Sequence, residues 1–132
     1  MIGILVIGQA RMKKTLVVGA TTDPSRYAYL AAKMLDQKGV DFVPIGIKKG
    51  EVFGREIVDL RAKPELEGIH TITLYIGPAH QAEWIDYLIG LKPERIIFNP
   101  GTENPEFFKK ATEAGIDVQP ACTLVLLSTS QF

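Results

Sequence analysis

The chain has 132 residues, 46% hydrophobic and 23% charged, with 15 basic residues against 15 acidic ones and so no formal net charge. That length suits one domain, and the composition excludes disorder as its main description. A neutral balance gives no bulk support to binding nucleic acid or a membrane surface, and a single cysteine, Cys122, leaves no intramolecular disulfide to form.

Residues 1–12 carry a short apolar run, Ile4–Gly8, that echoes Leu16–Gly19 just downstream. The few residues between the two runs cannot make the crossover that parallel neighbours need. No positive n-region precedes the run, which argues against a signal peptide. The domain is therefore expected to begin near Lys13 and occupy 13–132, with 1–12 as an extension. The alternative is an added edge strand or an arm that docks on another subunit. No apolar run approaches the roughly 20 residues that span a bilayer, so the expectation is a soluble, cytoplasmic protein.

From Thr15 the chain alternates strand and helix. Thr15–Gly19 reads as the first strand, and Asp23-Pro24 opens a helix that closes at Gly39. In that helix Tyr27, Leu30, Ala31, Met34 and Leu35 recur at the spacing of one apolar stripe. Asp41–Ile45 follows as a strand, with Pro44 expected at its terminus because proline cannot donate to a ladder. Pro64–Glu67 reads as a single turn ending at Gly68. Thr71–Ile76 is the next strand, then a helix from Gly77-Pro78 to Gly90 with Ile85, Leu88 and Ile89 on its inner face. Arg95–Phe98, a helix from Asn104-Pro105 to Gly115, and Ile116–Gln119 complete the alternation. Leu124–Leu127 fits a strand or a helix turn equally.

Apolar, β-branched runs of this kind suit parallel strands covered on both faces. The fold class is therefore α/β: a doubly wound, Rossmann-like parallel sheet of about five strands with helices on both faces. Ligands in such sheets bind outside the carboxyl ends of the strands, where strand order reverses. That rule selects four loops: Gly19–Arg26, Gly46–Gly50, Gly77–His80 and Asn99–Asn104. Three of them lead into helix starts, whose free amides favour an anion.

In the first loop Gly19 and Ala20 let the backbone turn sharply. Thr21, Thr22 and Ser25 supply hydroxyls, and Arg26 a charged fork, for phosphate oxygens; otherwise the same hydroxyls serve only to cap the helix. Lys48 and Lys49 are either a solvated pair or counter-charges for a phosphate on the ribose side of a nucleotide. The loop is neither G-x-G-x-x-G nor G-x-x-x-x-G-K-[ST]. The second strand ends in Pro44-Ile45-Gly46 without the acid that would hold a ribose hydroxyl. Both NAD enzymes and P-loop NTPases are disfavoured.

Four stretches, Val17–Tyr27, Val43–Gly46, Val52–Glu56 and Phe98–Asn104, together resemble the small stand-alone CoA-binding domain family. Those proteins are relatives of the nucleotide-binding domain of succinyl-CoA synthetase α subunits. The resemblance runs from about residue 13 to the end of the sequence, and the ordered combination carries it rather than any one motif. It implies coenzyme A, free or acylated, at the carboxyl edge of a Rossmann-like sheet. The loop Gly19, Ala20, Thr21, Thr22, Pro24, Ser25 and Arg26 would hold the pyrophosphate. Pro44, Gly46 and Lys48 would lie near the adenosine and its 3′-phosphate. Ile76, Gly77 and Pro78, with Asn99, Pro100 and Gly101, would line the rest of the path. The family's Pro-Val-Asn-Pro is Pro44-Ile45-Gly46-Ile47 here, a departure at the adenosine contacts. The phosphohistidine domain and ATP-grasp partner of the synthetase have no counterpart, so ligase activity is not implied.

Catalysis needs a nucleophile, a base and an orienting group converging on one site. His70 precedes a strand on the amino side, away from the expected cleft. His80 is better placed, at the first turn after Gly77, to bond a phosphate or donate a proton. Cys122 reads as a small buried apolar residue, and Trp84, Phe107 and Phe108 as helix packing. Two histidines on different elements do not make a metal site. The expectation is a non-catalytic module that binds CoA or an acyl-CoA, with no enzyme activity. Two alternatives stay open: a small NAD(P)- or other nucleotide-binding enzyme or sensor, and an interaction subunit with a vestigial cleft.

Overall fold

Six parallel strands form the central sheet of the computed structural model, which describes residues 13–132. They are β1 (Thr15–Val18), β2 (Phe42–Gly46), β5 (Val58–Asp59), β6 (Thr71–Leu74), β7 (Arg95–Phe98) and β8 (Asp117–Pro120). Their order is β5-β2-β1-β6-β7-β8. Between β2 and β5 lies a separate antiparallel hairpin, β3 (Glu51–Val52) and β4 (Arg55–Glu56). The expected class is therefore present, with one strand more than foreseen. Strand β5 is two residues long, too short for any hydrophobic period to register. The expected extension at 1–12 lies outside the described residues.

Helices cover both faces because successive strand residues point to opposite sides. On one face Leu16, Val18, Leu74, Ile96 and Phe98 meet α2 (Ile85–Gly90) and α3 (Pro105–Glu113). Phe107 of α3 is fully buried and stands edge-on to Phe98, with ring centroids 4.9 Å apart. Burying a side chain of that size contributes roughly 1.5–3 kcal/mol. On the other face Val17 and Phe42 pack with α1 (Tyr27–Gln37) and with Leu127 of α4 (Thr123–Ser128). The ambiguous Leu124–Leu127 piece is thus helical.

Pro44 sits inside β2, not at its end. Thr15 and Gly19 donate to the carbonyls of Asp41 and Ile45, so odd-numbered residues of β2 bond toward β1. The Pro44 nitrogen faces the other side, where β5 pairs only with Ile45 and Gly46, and no ladder bond is lost.

Helix boundaries depart from the reading in three places, each for a local reason. Helix α1 starts at Tyr27 rather than Pro24, because the Asp23 carboxylate accepts from the Ser25 amide at 3.0 Å and hydroxyl at 2.7 Å and closes a turn there. Its buried face is Ala28, Ala31, Ala32 and Leu35, and Tyr27 is 70% exposed. The segment from Gly77 to Gly90 divides into a 3-10 turn, Pro78–His80, and α2. Gly90 is the last residue of α2, and the left-handed residue after it is Lys92. The turn expected at Pro64–Glu67 occurs earlier, at Leu60–Ala62, where Asp59 accepts from the Arg61 amide. Only α3 follows the expected punctuation at both ends: Asn104 accepts from the Glu106 and Phe107 amides, and Gly115 takes a φ of +82°.

Candidate functional site

The chain runs from β1 outward to β2 and β5, then returns to β6 on the opposite flank of β1. Loops leaving β1 and β6 therefore part toward opposite faces and leave a crevice between them. A cleft of about 760 Å³ occupies it, within the usual range for small-molecule sites.

Gly19, Ala20, Thr21, Ser25 and Arg26 from the first loop line this cleft. Gly46 and Lys48 join them from the second, Ile76 and Gly77 from the third, and Pro100 and Gly101 from the fourth. The remaining expected residues lie outside the lining. Pro44 is within β2, Pro24 is part of the Asp23 turn, and Pro78 starts the 3-10 turn. The Thr22 side chain lies against Gly50, whose missing Cβ would fall 2.5 Å from the Thr22 methyl. Asn99 is 2% exposed and serves as a joint beneath the rim. Its Nδ2 donates to Thr73 Oγ1 at 2.8 Å and to the Leu74 carbonyl at 2.9 Å, and its Oδ1 accepts from the Thr123 amide at 2.9 Å.

Two glycines shape the floor. Gly19 takes a φ of +97°, and a Cβ there would stand 3.2 Å from the Tyr75 carbonyl carbon. The amides of Gly19 and Ala20 both donate to the Ile45 carbonyl, at 2.9 and 3.1 Å. This folds the first loop so tightly over the end of β2 that a Cβ on Gly46 would fall 2.9 Å from the Ala20 oxygen.

The first turn of α1 opens on the cleft uncapped. Its N-cap residue is Arg26, no side chain caps it, and the first intrahelical bond runs from the Leu30 amide to the Arg26 carbonyl. The amides of Tyr27, Ala28 and Tyr29 are thus left without a protein partner among the described residues, in a position that favours an anion. Nearby hydroxyls divide by role. Thr21 Oγ1 accepts from the Asp23 amide at 3.1 Å and keeps its proton free to donate, whereas Ser25 spends its proton on Asp23. These two bonds from Ser25, backbone first, hold the Asp23 carboxyl below its ordinary range. The Arg26 guanidinium is only loosely tied to Asp23, at 4.0 Å.

Several lining residues escaped the sequence reading. Tyr27, Arg61, Tyr75 and Glu83 border the cleft, as does Trp84 besides its packing role, while Ile47 and Thr102 join the lining from the selected loops without having been singled out. Burial pushes the Tyr75 phenol up to about 12, so it stays neutral at physiological pH. Gln81 is 1% exposed and binds the rim together. Its Nε2 donates to the carbonyls of Ile76 at 2.7 Å and Thr102 at 2.8 Å, while its Oε1 accepts from Asn104 at 2.9 Å.

The histidines separate as expected in position. His80 lines the cleft. His70 lies at the amino end of β6, its Nε2 2.7 Å from Glu94, and burial lowers its affinity for a proton. Cys122 precedes α4 outside the lining. Among the described residues no group of three or more His, Cys, Asp or Glu side chains is arranged to hold a metal ion, and no helix is long and apolar enough to cross a membrane.

No curated protein matches this chain. Among solved structures, the crystal structure of an uncharacterized protein shares 50% identity over 92% of this chain and 98% of its own, with a TM-score of 0.88. A cell-free-expressed protein from Thermus thermophilus shares 28% over 98% and 96%, with a TM-score of 0.77. A hypothetical protein from Pyrococcus horikoshii OT3 shares 28% over 96% and 89%, with a TM-score of 0.76. The profile of the CoA binding domain matches residues 13–128, and the chain belongs to that family.

Proposed function

We propose that this protein binds coenzyme A or an acyl-CoA in the carboxyl-edge cleft and performs no chemistry of its own. The observation that carries the reading is the uncapped start of α1, which opens on the cleft beside the free Thr21 hydroxyl and the loosely held Arg26. That corner suits the pyrophosphate. The end of β2 offers Lys48 where a nicotinamide dinucleotide site would carry an acid, which favours a ribose bearing a phosphate. The Ser25 hydroxyl donates to Asp23, whose carboxyl is held below its ordinary range and is therefore a weak base, and the buried Tyr75 is a neutral phenol, so neither of these two hydroxyls is set up as an activated nucleophile. With a lone cysteine and no disulfide to form, the setting we assign is the cytoplasm.

A thermal-shift series with CoA, acetyl-CoA, NAD and ATP tests this. Ligand at about a hundred times its Kd should add roughly 2.7 kcal/mol of stability. CoA and acetyl-CoA are expected to raise Tm, with NAD and ATP well behind. Stabilisation by NAD alone would refute CoA binding, and no stabilisation by any of the four would favour an interaction subunit. A second expectation concerns Lys48→Ala, which should weaken CoA more than dephospho-CoA in titration calorimetry. Equal losses for the two ligands would remove Lys48 from the 3′-phosphate.

A further inference from the structure

Resting on the CoA reading, we infer that Arg61 is the second cation of the 3′-phosphate subsite, paired with Lys48 across the β2–β5 edge. Gly46 of β2 pairs directly with Asp59 of β5. The loop carrying Lys48 and the 3-10 turn carrying Arg61 therefore leave adjacent strands on the same edge, and both residues line the cleft. The Arg61 turn is fixed from two sides: its own amide donates to Asp59 Oδ1 at 3.0 Å, and the preceding Leu60 is fully buried in the core. The side chain thus leaves a rigid base.

Charge is distributed unevenly along the cleft. Its cations, Arg26, Lys48 and Arg61, follow β1, β2 and β5 in turn, whereas Glu83 lies beyond β6. Among the described residues neither Lys48 nor Arg61 makes an ion pair, while Arg55 is bound to Asp41 at 2.6 Å and Arg95 donates to Thr71 at 2.7 Å. Coenzyme A carries its anionic groups at one end, a diphosphate diester and a monoester phosphate on the ribose. A monoester holds about 1.5–2 negative charges at neutral pH, so one lysine leaves it under-neutralised. With Arg26 and the α1 amides serving the diphosphate, Lys48 and Arg61 remain for the monoester. A planar guanidinium is suited to gripping two phosphate oxygens at once.

The test is calorimetric titration of the whole protein and its Arg61→Gln, Arg61→Lys and Lys48→Gln variants with CoA and with dephospho-CoA. Arg61→Gln should weaken CoA about tenfold, the scale of one partly exposed charged hydrogen bond. Dephospho-CoA should change less than twofold. Arg61→Lys, which keeps the charge, should recover part of the loss, whereas Arg61→Gln and Lys48→Gln should each flatten the salt dependence of CoA binding. If Arg61→Gln leaves CoA unchanged, or weakens both ligands alike, Arg61 is not in the subsite while the CoA reading stands. If the wild type binds neither ligand, the CoA reading itself fails and takes this inference with it.

Discussion

Asn99→Ala is expected to destabilise the protein by about 3–5 kcal/mol, because the Leu74 carbonyl and the Thr123 amide would be left buried without partners, each at roughly 1–3 kcal/mol. The Thr73 hydroxyl loses less, since it keeps Thr123 Oγ1 at 2.7 Å. One side chain here joins the end of β6, the end of β7 and the start of α4. Its loss opens a joint rather than a single contact. Urea unfolding should show the midpoint falling with little change in slope. Because Pro100 and Gly101 follow directly and line the cleft, CoA affinity should fall as well, measured where the variant is still folded. A loss below about 1 kcal/mol would mean that water replaces the amide without cost and that the joint is not structural.

This residue also marks the limit of what the sequence discloses. Asn99 stood in a loop that the carboxyl-edge rule selects, and its placement there was legible. Its service as a buried joint was not, since nothing in Phe98-Asn99-Pro100-Gly101 distinguishes an amide that faces a ligand from one that faces a strand. The sheet and the helices on both faces were legible because buried parallel strands carry runs of β-branched residues and α3 carries both its caps. Strand β5 was not, and Arg61, which follows it, was lost with it. Gln81 escaped for a different reason. A polar residue inside an apparent helix from Gly77 to Gly90 reads as solvent-facing, and only the division of that segment turns it inward onto two carbonyls. Tyr27 failed in the opposite sense. Its spacing placed it on the buried stripe, but α1 begins at Tyr27 itself, so the ring stands at the mouth of the cleft instead.

Gly46→Val should abolish measurable CoA binding at micromolar concentration while leaving a folded protein. Even the first carbon of the new side chain would lie 2.9 Å from the Ala20 oxygen and 3.2 Å from its nitrogen. These are backbone atoms, so no rotamer relieves the clash. The loop must lift, and its lifting stretches the paired bonds from Gly19 and Ala20 to the Ile45 carbonyl. Those bonds set the height of Thr21 and the α1 amides above the floor of the cleft. Overpacking of this kind costs typically about 1–3 kcal/mol in stability, and a comparable loss of binding energy is roughly tenfold to a hundredfold in Kd. The two γ-carbons of valine add bulk at the cleft floor beyond that, which carries the expected loss past a hundredfold. Gly46→Ala separates the contributions: it introduces the backbone clash without the added bulk, and should bind CoA about tenfold more weakly at nearly the same Tm as the valine variant. An alanine variant that matches the wild type in both Kd and Tm would show that the first loop yields freely, and the tight seat of that loop on β2 would then not govern the site.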